Sequence, residues 1–204
     1  MLCALVHGLR NIVLFGSVVT WSWLLPLSAR AIDVHPTAEQ IQAALDQGKE
    51  AAQKRNPPDT FYVRFGATDG LHPGGFLITK LGGLSVMATH MALRGLQPSE
   101  AEVTQVLEGQ TMLVSTVIFG NVPNFAVDSY MVFDQAGKSI KPVTVRFDGF
   151  ANRSAAWPES PRFMAKVIAS FNYADFDPKA KTTITVFPAN GGESSFVVDF
   201  SAIH

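Results

Sequence analysis

The sequence predicts an α+β protein that is mainly β: an Ig-like antiparallel β-sandwich with an N-terminal helical cap. Three observations lead there. The first is alternation. Phe163, Ala165, Val167, Ala169, Phe171 and Tyr173 fall on one side of a period-two pattern, with Lys166, Ser170 and Asn172 on the other. Thr182, Ile184 and Val186 alternate in the same way with Thr183 and Thr185, and Phe196, Val198, Phe200 and Ala202 with Asp199 and Ser201. Strands that bury one face carry this pattern. The second is the segment Pro188 to Glu193, whose Asn-Gly and Gly-Gly steps supply the positive φ angles a hairpin needs. The third is spacing: from Thr111 onward, short strand patterns are cut by turn signals about every eight to twelve residues.

Residues 1–31 differ from the rest. They hold no Asp or Glu, a nearly continuous apolar run from Asn11 to Leu27 broken at Pro26, and then Ser28-Ala29-Arg30-Ala31. Ala29 and Ala31 fit the small-x-small pattern that signal peptidase reads. The run is close to the ~17-residue lower limit of a spanning helix. Together with Pro26 and the alanines, that favours a secretory signal cleaved after Ala31 over a retained anchor. Export to the periplasm or medium is expected, with no membrane span after cleavage. Without Arg10 and Arg30, 14 of the 16 basic residues remain against 17 acidic ones, and the only cysteine, Cys3, is lost. The cleaved chain therefore has no disulfide and no thiol nucleophile.

A hydrophobic share of 47% with 16% charged residues describes a chain that packs a core. A net charge of −1 and a single adjacent basic pair, Lys54-Arg55, lack the basic footprint of a nucleic-acid binder.

After a lead-in at 32–36, Thr37 and Gln40 form a capping box. Ile41, Ala44, Leu45, Gly48 and Ala52 then share a helix face that Asn56-Pro57-Pro58 ends. Phe61 to Phe65 reads as a strand, residues 66–75 as a glycine-rich loop, and Phe76 to Thr79 as a second strand. Leu81 to Leu93 reads as a helix with Leu84, Met87, Ala88 and Met91 on its apolar stripe, stopped at Gly95. Ser99 and Glu102 form another capping box, opening a helix that ends at Gly109. Strands are expected over Thr111–Phe119, Val127–Phe133 and Val143–Phe147, then a loop over Gly149–Pro161 and the three C-terminal strands. Val197, Ile203, Met164 and Ile168 fall on nominally outward faces, so helices are expected to cover part of the second face. The domain plan is a signal peptide at 1–31, a helix and linker at 32–60, and one sandwich domain at 61–204 with a helical insertion at 81–109. No motif places the chain in a known family.

Several constellations could carry chemistry. Met87, His90 and Met91 stand at i, i+3 and i+4, so a helix brings two thioethers and an imidazole to one surface. That donor set suits Cu(I), with His35 and His72 as further imidazoles. Against it, Met87 and Met91 continue the stripe begun by Leu84, and methionine is a common core filler. Gly83-Leu84-Ser85-Val86-Met87 lacks the second glycine of a nucleophile elbow. Asp175 and Asp177 lack the glycine and distal glutamate of a calcium loop. Asp69 with His72 is an acid–base pair in an exposed loop.

The last constellation comes from geometry. If each strand from Thr111 onward reverses direction, the loops 120–126, 149–161 and 188–193 emerge at one end. That end holds Phe125, Phe150 and Trp157, with Asn124, Arg153 and Asn190 nearby. Loops at one end of a rigid sandwich are where such folds bind, and aromatics with an arginine are frequent hot-spot residues. The competing use of Phe150 and Trp157 is to fold back as core plugs. The balance favours a non-enzymatic, exported binding or assembly module that contacts a protein or another envelope component through Phe125, Phe150, Arg153, Trp157 and Asn190, without a cofactor. The alternatives are a periplasmic copper-handling protein using Met87, His90 and Met91, and a hydrolase with His72 or His90 as base.

Overall fold

A computed structural model describes residues 32–190 and 192–203. The proposed signal segment, residues 1–31, lies outside the described residues. N-terminal helices are followed by two antiparallel sheets, of six and four strands, that pack together. No described helix is long and apolar enough to cross a membrane.

Three helices form where the capping residues allow. Helix α1 (Ala38–Gln53) opens on the Thr37–Gln40 box, in which the Gln40 amide N–H donates to Thr37 Oγ1 and the Thr37 N–H donates to Gln40 Oε1 at 2.8 Å. Helix α2 (Lys80–Ala92) starts at Thr79, whose hydroxyl accepts from the Gly82 N–H at 3.0 Å. Helix α3 (Glu100–Glu108) uses the Ser99–Glu102 box. Each pairing satisfies amide donors that a helix start leaves orphaned.

The apolar stripe of α2 is not the expected one. Leu84 and Ala88 are buried, but Ser85 and Thr89 complete the face, while Met87 and Met91 are only half-buried. The reason is close approach of α1. The Ser85 hydroxyl donates to the Ala44 carbonyl at 2.9 Å, and the Thr89 hydroxyl shares its proton between the Ser85 carbonyl at 2.7 Å and the Gly48 carbonyl at 3.0 Å. Only glycine admits this spacing, because a Cβ at Gly48 would lie 2.3 Å from the Ser85 carbonyl oxygen.

The strands are β1 (Val63–Gly66), β2 (Gly74–Ile78), β3 (Thr111–Gly120), β4 (Tyr130–Gln135), β5 (Lys138–Ile140), β6 (Thr144–Phe147), β7 (Asn152–Arg153), β8 (Phe163–Asn172), β9 (Lys181–Phe187) and β10 (Ser194–Asp199). The larger sheet has the order β1-β2-β3-β8-β6, with β7 also paired to β8, and the smaller has the order β10-β9-β4-β5. Inward residues of both sheets meet in one core. At its centre the Phe133 and Phe171 rings, one from each sheet, stack at 3.6 Å, and Phe176 and Phe200 meet Phe133 edge-on at 5.6 Å.

Three strand expectations are corrected. Phe61 closes a 3-10 turn over Pro58–Phe61, so the first strand starts only at Val63. Val127 to Ser129 are not strand. Turn hydrogen bonds run through 122–129, and Asp128 has φ 59°, which extended backbone excludes. The last strand ends at Asp199, whose carboxylate accepts from the Ser201 N–H at 3.0 Å and starts a 3-10 turn over Phe200–Ala202. That turn shifts the phase, so Ile203 is buried and Ala202 exposed. Nor do the helices cover the outer face of the last strand, where Val197 is 62% exposed. They pack on one another and on a 3-10 turn at Pro58–Phe61, around the end where β2 leaves the sheet and β3 enters it.

Two substitutions test this packing. Phe133→Ala should lower the unfolding free energy by about 3–5 kcal/mol, read from the urea midpoint, because it empties the contact between the sheets. Gly48→Ala should destabilise by about 1–3 kcal/mol from overpacking, although alanine is the better helix former by about 1 kcal/mol. A rise in stability for Gly48→Ala would show that the two helices are not held at this distance.

Candidate functional site

Strand direction decides which loops share an end. The partners Gly120↔Phe163, Gly74↔Val117, Tyr130↔Phe187 and Ser194↔Val186 align one set of strand termini. The connections 121–129, 148–162 and 188–193 therefore emerge together. The connection 67–73 joins them, which the sequence pattern alone did not reveal. The loops are tied to one another. The Ala151 N–H donates to the Pro123 carbonyl at 2.7 Å, the Arg162 N–H to Asn121 Oδ1 at 3.3 Å, and the Asn190 side-chain amide lies 3.5 Å from the Asn124 carbonyl.

The expected aromatic residues separate into two groups. Phe125 turns inward, 4% exposed, and its ring packs so closely on Gly120 that a Cβ there would sit 2.4 Å from it. Phe125 is thus part of the core floor and offers no surface. Phe150 is 75% exposed and Trp157 40% exposed. Trp157 sits in the hairpin between β7 and β8, with its ring edge-on to Phe163 at 5.4 Å. The Arg153 guanidinium lies 4.7 Å from the Trp157 ring centre, a cation–π arrangement. Ser154 holds the hairpin tip: its N–H donates to the Arg162 carbonyl at 2.9 Å, its hydroxyl donates to the Pro161 carbonyl, and its oxygen accepts from the Ala156 N–H at 3.1 Å. Asn190 is exposed.

Sequence reasoning missed a second aromatic element here. Tyr130, half-exposed, stacks on Phe187 at 5.0 Å with their planes 18° apart. The signal was present but unreadable alone. Both residues are out of phase with their buried neighbours, and only the β4–β9 register places them opposite each other. Ser129 stands just before this pair. Its hydroxyl is the one buried side-chain nitrogen or oxygen found without a hydrogen-bond partner among the described residues.

Asp69 and His72 also lie at this end. One Asp69 carboxylate oxygen accepts from the Leu71 and His72 N–H groups at 2.9 and 3.0 Å, and the other is 2.6 Å from His72 Nδ1. The amide of Leu71 first, then the His72 ring and amide, hold the Asp69 pKa down to about 2 from the ordinary 3.8. Both side chains are exposed. The contacts close a turn.

The other constellations fall elsewhere. His90 is exposed on α2 beside the half-buried Met87 and Met91, whereas His72 lies in the loop preceding β2. Among the described residues no three His, Cys, Asp or Glu side chains cluster as a metal site. Ser85 is buried, with its hydroxyl committed to the Ala44 carbonyl. The Asp177 carboxylate accepts from the Lys179 N–H at 2.8 Å within its own turn. No protein-family model matches the chain, and a search of curated proteins finds no similar sequence.

The Asp69 turn has a defined pH response. Its folded pKa is depressed, so its contribution is fully present above the unfolded value near 3.8 and is lost as pH falls through about 2. Carbon-detected NMR titration should show the Asp69 carboxyl titrating about two units below a free aspartate, with the Leu71 and His72 amide shifts following it. A midpoint near 3.8 would mean the turn does not hold the carboxylate.

Proposed function

We propose that the chain is an exported, non-enzymatic binding or assembly module of the cell envelope. It contacts a protein or another envelope component through loops at one end of an Ig-like sandwich. The observation that carries this reading is the pairing of exposure with rigidity. Phe150 and the Trp157–Arg153 pair face outward on loops that are hydrogen-bonded to one another over a packed core. Trp157, held against Phe163 and Arg153, loses little freedom on binding, so more of its burial energy appears as affinity. Tryptophan and arginine are both enriched at binding hot spots. The composition of residues 1–31 supports export.

Replacing both Trp157 and Arg153 by alanine should cut capture of a native-envelope partner by more than about thirtyfold, as the loss of a hot spot of ~2 kcal/mol or more requires. Phe150→Ala should do the same with an unfolding midpoint within ~0.5 kcal/mol of the unaltered protein, because that ring packs on little. Undiminished capture by all these variants would remove the loop end as the contact surface.

A further inference from the structure

The charges of the loop end narrow the partner further, on the assumption that this end is the contact surface. The four connections carry five carboxylates, Asp69, Asp128, Asp148, Glu159 and Glu193, and two cations, Arg153 and Arg162. Across residues 32–204 there are 14 basic and 17 acidic residues, so everything outside these loops balances at twelve of each. The excess negative charge of residues 32–204 therefore resides at the aromatic end.

Internal contacts hold several of these groups in place. Arg153 is stacked on Trp157, and Arg162 Nε donates to the Pro158 carbonyl at 3.1 Å. Asp69 is bound within its own turn, and the Asp148 carboxylate accepts from the Lys166 N–H at 2.8 Å. Asp128, Glu159 and Glu193 remain. All three are exposed, and none forms an ion pair among the described residues. The nearby strand cations Arg146 and Lys166 sit opposite Ile168 and Val117, on the outer face of the larger sheet. The four connections are therefore net negative, five carboxylates against two guanidinium groups, with the exposed Arg153 a cation within the contact surface. Apolar groups are exposed on the same loops: Leu71, Val122, Phe150 and Trp157.

We infer that the loop end takes a basic polypeptide surface, one that presents lysine or arginine interleaved with apolar side chains. Apolar tips with an anionic rim are complementary to that chemistry and repel an anionic lipid surface or an acidic glycan. The rim raises the association rate at low salt, and the buried aromatics supply the affinity.

The test uses the chain as processed after Ala31 and a dye-labelled synthetic peptide of alternating lysine and leucine, with a glutamate–leucine peptide and phosphatidylglycerol vesicles as comparators. Fluorescence anisotropy should show the lysine peptide bound and the glutamate peptide and vesicles not bound. Affinity should fall roughly tenfold between ~50 and ~500 mM salt, as screening of exposed charges requires. The variant Glu159→Lys, Glu193→Lys, Asp128→Asn should lose binding about tenfold or more with unchanged circular dichroism. Asparagine is chosen at 128 because the backbone there has φ 59°. Equal binding of both peptides, binding to the vesicles, or indifference to the charge variant would overturn the basic partner. Phe150→Ala separates the two levels. If it abolishes native capture while the charge variant does not, the loop end survives and only the charge inference falls. If it leaves both native capture and lysine-peptide binding intact, the loop end itself falls.

Discussion

The stack of Phe133 on Phe171 is the contact on which the rest of the structure leans. It joins the smaller sheet to the larger at the middle of the core, and Phe176 and Phe200 close around it edge-on. A phenylalanine of this kind removes about 150–250 Å² from water. At about 25 cal/mol per Å² that is several kcal/mol each as an upper bound, with about 1 kcal/mol more for the ring pairing. The consequence for function is positional. β4 leads away from the 121–129 loop and β8 from the 148–162 loop. Fixing Phe133 against Phe171 fixes where both loops begin.

The helices stabilise the other end by a different device. Lys80, at the start of α2, is buried, and its ammonium donates to the Leu107 carbonyl at 2.6 Å while lying 5.3 Å from the Tyr173 ring centre. Leu107 belongs to the last turn of α3, where carbonyls lack intrahelical partners. One side chain thus joins α2, α3 and the end of β8. Burial pushes the Lys80 pKa down and the Tyr173 pKa up to about 12, the latter opposed by the Lys80 backbone N–H. Helices occupy the end where β2 exits and β3 enters, and the opposite end is left to loops.

How much could be read in advance follows from the range of each interaction. Capping at Thr37–Gln40 and Ser99–Glu102 was legible because the partners are three residues apart. The alternation in β8 was legible because one buried face imposes period two. The stripe on α2 was misjudged at Met87 and Met91 because hydrophobicity alone gives no hint of a neighbour made of glycine and alanine. Against such a neighbour, Ser85 and Thr89 find carbonyl partners that two thioethers would not. Phe125 was misjudged for a similar reason: its inward turn depends on Gly120, five residues away but across a tight bend.

The chain by itself determined the β-rich class, the capped helices and the presence of aromatic loops between strands, because these rest on local spacing and on the chemistry of neighbours in sequence. Folding in three dimensions decided which loops meet, that Tyr130 lies over Phe187, and that Phe150 and Trp157 face out while Phe125 faces in. The physical reason is register. A ladder of hydrogen bonds joins residues tens of positions apart, and its alignment sets which side chains become neighbours, something no short stretch of sequence encodes.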